Sequence, residues 1–144
     1  CSSFLSLEKI NSHSNLRHTM PIARGIQGAT PPDHHGPAVC NGCSLKTAEN
    51  LEVVRQIPLE KLLLETDCPW CDIRPNHASY QYVDTKFPTK QEKKWEEGFC
   101  VKSRTEPCHI VQVAEVIARV KGCSVEDVAD ACYSNSLKFY GFLT

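Results

Sequence analysis

Long apolar runs and an excess of charge of either sign are both missing from this sequence. No apolar run in its 144 residues exceeds four residues, whereas a helix that spans a membrane needs about 20. The 16 lysines and arginines nearly balance the 17 aspartates and glutamates, and the net charge is -1. We therefore expect no membrane association, and no global charge draws the chain to a polyanion.

Methionine is almost absent, and no secretory leader is visible. The single methionine is Met20 and the chain begins with Cys1, so residue 1 is not expected to be a natural translation start. No charged and then apolar leader precedes a small-residue cleavage site. The expected location is therefore the nucleus or the cytosol, without secretion, and no obligate protein partner is indicated.

Cysteine is more frequent, but it does not reach the level of a disulfide scaffold. Nine cysteines in 144 residues are about 6%, below the roughly 8 to 10% typical of small disulfide-rich proteins. In a reducing compartment most of these thiols are expected to be small buried hydrophobic groups.

The first 39 residues differ in character from the rest. They hold four of the six histidines and no sustained apolar periodicity; these histidines are His13, His18, His34 and His35. We interpret residues 1–39 as a divergent, mostly irregular lead and residues 40–144 as the structured part.

Regular elements follow from about residue 41. A helix is predicted over Ala48 to Ile57 with Thr47 as its cap, and a buried strand over Lys61 to Thr66, where three leucines are consecutive. A long loop then runs to Pro107. Two helices are predicted at the end, one over about residues 109–121 with Gly122 as its stop, the other capped by Ser124 with Asp127.

Polar residues stand at the carboxyl end of the predicted strand. Glu65, Thr66 and Asp67 follow the leucines directly, and in α/β barrels the chemistry lies at the carboxyl ends of the strands. An acidic residue after a strand is, however, often only a turn former.

Several motifs together resemble the TatD-type metal-dependent deoxyribonucleases, in particular their eukaryotic branch. The motifs are NGCSLKT at 41–47, IPLEKLLLETDCPW at 57–70, His77-Ala78, Arg104-Thr-Glu-Pro107 and Asn135 followed by Leu137 and Phe139. The resemblance covers about residues 41–144. It implies an α/β fold, the carboxyl-terminal portion of a (β/α)8 TIM barrel of the metal-dependent hydrolase type.

The resemblance also implies an activity, a cofactor and site residues. Members of the family hydrolyse DNA phosphodiester bonds with one or two divalent metal ions, Mg²⁺ or Zn²⁺. Asp67 corresponds to a family ligand, and a carboxylate there can bind the cation and accept a proton from metal-bound water. Glu65 is the second catalytic candidate. Arg104, Glu106 and His77 are candidate substrate-binding residues, with Arg104 expected to contact phosphate or Glu106.

The sequence departs from the family pattern in three ways. No His-x-His pair occurs, Thr105 stands where the family motif has Asn, and residues 41–144 account for only two of the barrel's eight units. We therefore expect the chain by itself to lack most of the metal ligands and to be inactive. A truncated or misspliced non-catalytic product is an alternative.

The long loop allows two interpretations. Between Lys86 and Arg104 it holds six basic and three acidic residues, with Phe87, Trp95 and Phe99 interleaved. Such a segment can bind phosphates and stack on bases. It can equally be a solvated loop held by an aromatic anchor.

Two CxxC pairs suggest another function class. Cys40 with Cys43 and Cys68 with Cys71 have the spacing of zinc or redox sites. The 24 intervening residues exceed the usual 15 to 20 of a zinc ribbon, and they include a helix and a strand that would keep the pairs apart. A thioredoxin-like pair would open a helix, but a loop follows Cys71 here.

Overall fold

The computed structural model describes residues 36–141. The elements in chain order are β1 (Ala38–Cys40), α1 (Ala48–Gln56), β2 (Leu62–Leu64), β3 (Thr89–Lys90), β4 (Cys100–Val101), α2 (Ile110–Lys121) and α3 (Val125–Phe139). The predicted order of helix, buried strand, long loop and two helices is confirmed. The four histidines of the lead lie outside the described residues.

Strand β1 was not predicted, and it forms half of the central pairing. It lies parallel to β2 with Ala38 opposite Leu62 and Cys40 opposite Leu64. Its three residues carry too short an apolar pattern to stand out from the irregular lead, whose expected end at residue 39 falls inside it. Strand β2 is shorter than expected, because Lys61 closes a short 3-10 turn and Glu65 adds only one backbone bond, to the Cys40 carbonyl.

The helix ends follow the capping chemistry of the sequence. Thr47 accepts the N–H of Asn50 at the start of α1, and Ser124 and Asp127 form a reciprocal capping box at the start of α3. Helix α2 ends at Gly122, whose φ of 69° is the left-handed conformation that glycine adopts without strain. Among residues 36–141 no helix is long and apolar enough to cross a membrane.

Helix α2 lies at the centre of the core and anchors its neighbours through two polar side chains. Val116 and Ile117 are fully buried. Glu115 accepts the backbone N–H groups of Asp84 and Thr85, which fixes the middle of the long loop. Lys121 donates through Nζ to the Val54 carbonyl at 2.8 Å, in the last turn of α1. Its ammonium therefore satisfies a carbonyl that the helix end leaves free.

Asn135 fastens α3 to the sheet. Its Nδ2 donates to the carbonyls of Leu59 and Leu62, both at 2.9 Å, and the residue is 8% exposed. The amide therefore satisfies two backbone acceptors around the start of β2.

We expect Asn135→Ala to lower the free energy of unfolding by about 1–3 kcal/mol, because both carbonyls lose their donor in a buried setting. Urea unfolding followed by circular dichroism measures the loss. Ser134→Ala, on the exposed face of the same turn, is the matched control. Equal losses in both variants would show that Asn135 has no special role.

Candidate functional site

Three polar side chains meet where β1 and β2 end. Asn41 follows β1, and Glu65 and Asp67 follow β2; because the strands are parallel, their carboxyl ends lie at the same edge. The Asn41 amide nitrogen donates to Glu65 Oε1 at 3.0 Å and to Asp67 Oδ2 at 2.9 Å. A single amide therefore brings the two predicted catalytic carboxylates together.

Asn41 is itself held rigidly by the turn that it begins. Its Oδ1 accepts the backbone N–H groups of Cys43 and Ser44, both at 3.0 Å, and Ser44 Oγ accepts the Asn41 N–H at 2.9 Å. The residue is 6% exposed. Asn41 is part of the family motif at 41–47, but the sequence alone predicted no role for it. Its position directly after a strand was the available signal, and the missed β1 concealed it.

Asp67 lies at a turn in unusual backbone geometry. Its φ is 55°, in the left-handed region, which aspartate tolerates better than most residues. The Asp67 carbonyl accepts the N–H of Trp70 at 2.8 Å, and the Pro69 carbonyl accepts the N–H of Thr105 at 3.1 Å. The turn thereby connects the carboxylates to the Arg104–Pro107 motif.

A disulfide joins the loops that follow the two strands. It links Cys43 to Cys71, with the Cα atoms 4.8 Å apart, and the Cys71 sulfur lies 3.8 Å from Asp67 Oδ2. Cys43 and Cys71 are therefore exceptions to the expectation that most of the cysteines are free buried thiols. The argument that the intervening helix and strand keep the CxxC pairs apart was wrong, because parallel pairing brings the two strand ends together.

The remaining cysteines divide by location. Cys40, Cys100 and Cys132 are buried thiols, as expected, whereas Cys68 is exposed. Burial raises the pKa of Cys40 to about 12, so this thiol stays protonated. The disulfide runs between the CxxC pairs and not within Cys68–Cys71, and neither the thioredoxin-like nor the four-cysteine zinc arrangement is formed.

Gly42 lets the two loops approach each other. A Cβ atom on Gly42 would stand 1.8 Å from the carbonyl oxygen of Cys71 and 2.9 Å from its carbon. Backbone cannot yield as a flexible side chain can, so only glycine fits at this position.

The two carboxylates influence each other electrostatically. Partial shielding of the Glu65 carboxyl from water raises its pKa, and the charge of Asp67 raises it further, while the hydrogen bond from Asn41 lowers it. The Asn41 N–H groups therefore offset repulsion between two like charges.

The three candidate substrate-binding residues occupy different settings. Arg104 is exposed, and Glu106 accepts the Val101 N–H at 2.9 Å. Among the described ion pairs none joins Arg104 to Glu106. His77 accepts the Arg74 N–H through Nδ1 at 3.2 Å. Partial burial, with Lys46 and Arg74 nearby, lowers the pKa of His77. None of these three side chains hydrogen-bonds to Asp67 within the described residues.

The basic loop is partly braced by its own side chains. Lys90 forms an ion pair with Glu96 and lies 4.2 Å from the centre of the Phe99 ring, and Trp95 Nε1 donates to the Phe99 carbonyl at 2.6 Å. Lys93, Lys94 and Lys102 are exposed. The Trp95 ring is itself largely exposed, so both interpretations of this loop stay open.

The oxygen donors at this edge fit a divalent cation in type but not in number. Carboxylate oxygens suit Mg²⁺ and Zn²⁺. Two carboxylates gather at Asn41, and in the described part of the chain no third His, Cys or acidic side chain completes a ligand group with them. A metal here needs further ligands from elsewhere.

Comparison with known proteins identifies the family of this chain. A family model described as TatD related DNase matches residues 39–141. The chain belongs to the TatD-related DNase family. The resemblance read from its motifs is thereby confirmed.

Curated TatD relatives agree over the same part of the chain. The chain is 52% identical over 99 residues to a Schizosaccharomyces pombe protein named Deoxyribonuclease Tat-D, covering 67% of this chain and 32% of that protein. It is 44% identical over 117 residues to the Saccharomyces cerevisiae protein of the same name, covering 70% and 28%. The chain thus spans about a third of the length of these relatives.

Solved structures share the fold. A crystal structure of a TatD family hydrolase from Entamoeba histolytica matches with a TM-score of 0.68 at 33% identity, covering 72% of this chain and 34% of that one. An uncharacterized amidohydrolase from Saccharomyces cerevisiae matches with a TM-score of 0.66 at 41% identity, covering 72% and 33%. The described residues form a part of the TIM-barrel fold, with mixed helices and strands.

Gly42→Ala tests the close approach of the two loops. We expect it to lower the free energy of unfolding by about 1–3 kcal/mol or more, because its methyl group must displace the Cys71 backbone. Thermal unfolding gives the comparison with Gly36→Ala, where a Cβ meets nothing within 4 Å. If both variants melt together, the contact does not constrain the fold.

Asn41→Asp tests the shared amide. A third carboxylate replaces the donor, so the pKa of Glu65 rises further and the folded state binds protons more readily than the unfolded state. The stability loss is therefore largest at neutral pH, about 2 kcal/mol, and shrinks as pH falls toward about 4. Unfolding across this pH range measures it.

Asn50→Asp is the matched control for this pH series, because a negative charge in the first turn of α1 is tolerated. A loss in Asn41→Asp that does not vary with pH would argue against charge repulsion at the site.

Proposed function

We propose that this chain is the carboxyl-terminal part of a metal-dependent deoxyribonuclease that hydrolyses DNA phosphodiester bonds in the nucleus or the cytosol. The observation that carries the proposal is the convergence of Asp67 and Glu65 on Asn41, at the carboxyl edge of paired parallel strands. Family membership and the names of the yeast relatives support DNA as the substrate.

Asp67 is the central residue in this proposal. The enzyme would use one or two divalent ions, Mg²⁺ or Zn²⁺. The Asp67 carboxylate would bind one of them and accept a proton from the attacking water. When bound, the metal polarises phosphate and lowers the pKa of water. Glu65 shares the amide of Asn41 with Asp67 and orients the pair. Because Asn41 is buried and fixed by its own turn, the Asp67 carboxylate is positioned before substrate arrives.

The remaining candidates act on the substrate side. The exposed guanidinium of Arg104 is suited to a phosphate contact, and His77 is a partly exposed neutral imidazole that can donate or accept a hydrogen bond. Glu106 keeps the Arg104 segment in place through the Val101 N–H. We propose that this chain does not cleave DNA alone, because the other metal ligands of the family pattern, including its His-x-His pair, are not in its sequence.

A chimeric enzyme tests the proposal. Residues 39–141 would replace the matching segment of the Schizosaccharomyces pombe relative, and cleavage of labelled DNA would be measured with Mg²⁺ and with Zn²⁺. We expect the chimera to be active and Asp67→Asn in it to lose roughly 10²–10⁴-fold in rate, the range for removal of a positioned proton acceptor.

Asp84→Asn is the control, since Asp84 is an exposed partner of Arg119, and it should retain the activity of the chimera. An inactive but folded chimera would favour the non-catalytic alternative. Full activity of Asp67→Asn would remove Asp67 from the mechanism, and cleavage by the 144-residue chain alone would refute its proposed inactivity.

A further inference from the structure

A second group of ligand-type side chains lies where the long loop meets α2. Cys100 is in β4, and Cys108 and His109 belong to the 3-10 turn that opens α2. The Cys100 and Cys108 sulfurs are 3.8 Å apart, and the Cys108 sulfur is 3.6 Å from His109 Nδ1. One ligand atom from each residue falls within 4.8 Å of the others.

These separations are close to those of a tetrahedral zinc site. Zinc binds thiolate sulfur at about 2.3 Å and imidazole nitrogen at about 2.0–2.1 Å. At the tetrahedral angle, two such sulfurs stand about 3.8 Å apart and a sulfur and a nitrogen about 3.5 Å apart. The two measured separations that involve Cys108 therefore already match two edges of a coordination tetrahedron.

Backbone hydrogen bonds hold Cys100 and His109 in this arrangement without a metal. The Cys100 N–H donates to the Pro88 carbonyl at 2.9 Å, and the His109 N–H donates to the Glu106 carbonyl at 2.9 Å. The Phe87 ring packs 5.0 Å from the His109 ring. Little backbone ordering remains to be done on binding, which favours affinity.

We propose that Cys100, Cys108 and His109 bind one zinc ion, with a water molecule as the fourth ligand. The site shares no residue with the Asn41, Glu65 and Asp67 group, and the inference does not depend on the proposed nuclease function. Bound zinc would fasten the end of the long loop to the start of α2, on either side of Arg104.

Binding has two costs that the site must offset. His109 Nδ1 now accepts the Glu106 N–H at 3.1 Å, and coordination through that atom gives up this bond. Both thiols must also lose their protons to bind zinc, as in every thiolate site. Apparent binding energies of structural zinc at neutral pH already include the loss of the thiol protons, and they far exceed the contribution of one neutral hydrogen bond.

Metal titration of the reduced 144-residue chain tests the site. After chelator treatment the chain is titrated with Co²⁺, whose absorption reports tetrahedral thiolate coordination, and then with Zn²⁺ in competition. We expect one ion per chain. Cys108→Ser, Cys100→Ser and His109→Ala should each weaken binding by at least about tenfold. Cys123→Ser and Asp67→Asn should leave it unchanged.

A measurement on the unmutated chain avoids the problem of variants that fail to fold. Zinc should protect Cys100 and Cys108 of the original chain from alkylation, as mapped by mass spectrometry, while exposed Cys68 reacts as before. Absence of stoichiometric binding would overturn the proposal. So would binding that Cys68→Ser abolishes and Cys108→Ser spares, which would assign the ion to the CxxC pairs, or a Cys100–Cys108 disulfide that forms whether or not zinc is present.

Discussion

The parallel pairing of β1 with β2 is the constraint on which the candidate site depends. It sets Cys40 opposite Leu64 and so starts the two following loops at the same edge. The Asn41 amide can then reach both carboxylates, and Cys43 can reach Cys71. A slip of one residue would turn every side chain of β2 to the other face and dissolve all of these contacts together.

Several further contacts at this edge restrict how the two loops can lie relative to each other, and each does so by a different interaction. Gly42 removes a steric obstacle to the Cys71 carbonyl, the disulfide ties the loops covalently, and the Thr105 N–H binds the Pro69 carbonyl. Hydrogen bonds from a buried amide then oppose the repulsion between Glu65 and Asp67. The site is thus built mostly from backbone and polar contacts, with the α2 core beneath it.

The sequence predicted the parts of this structure that depend on local pattern. Caps at Thr47 and Ser124 and the stop at Gly122 each depend on a few neighbouring residues, and each lies where it was expected. The leucine strand also forms, although it is shorter than predicted. Strand β1 was missed because three residues carry no usable periodicity. The role of Asn41 and the Cys43–Cys71 pairing were missed with it, since both arise from a contact between segments more than 20 residues apart and not from either segment alone.

Trp70 adds a property that none of these contacts requires. It is 74% exposed, and its backbone N–H donates to the carbonyl of Asp67. The chain has only one other tryptophan, Trp95, which lies later in the long loop and is 54% exposed. An indole attached to the carboxylate turn and open to solvent is a built-in fluorophore. In a chain with Trp95 replaced by phenylalanine, its emission would report the arrival of a cation or a phosphate at this turn without any added label.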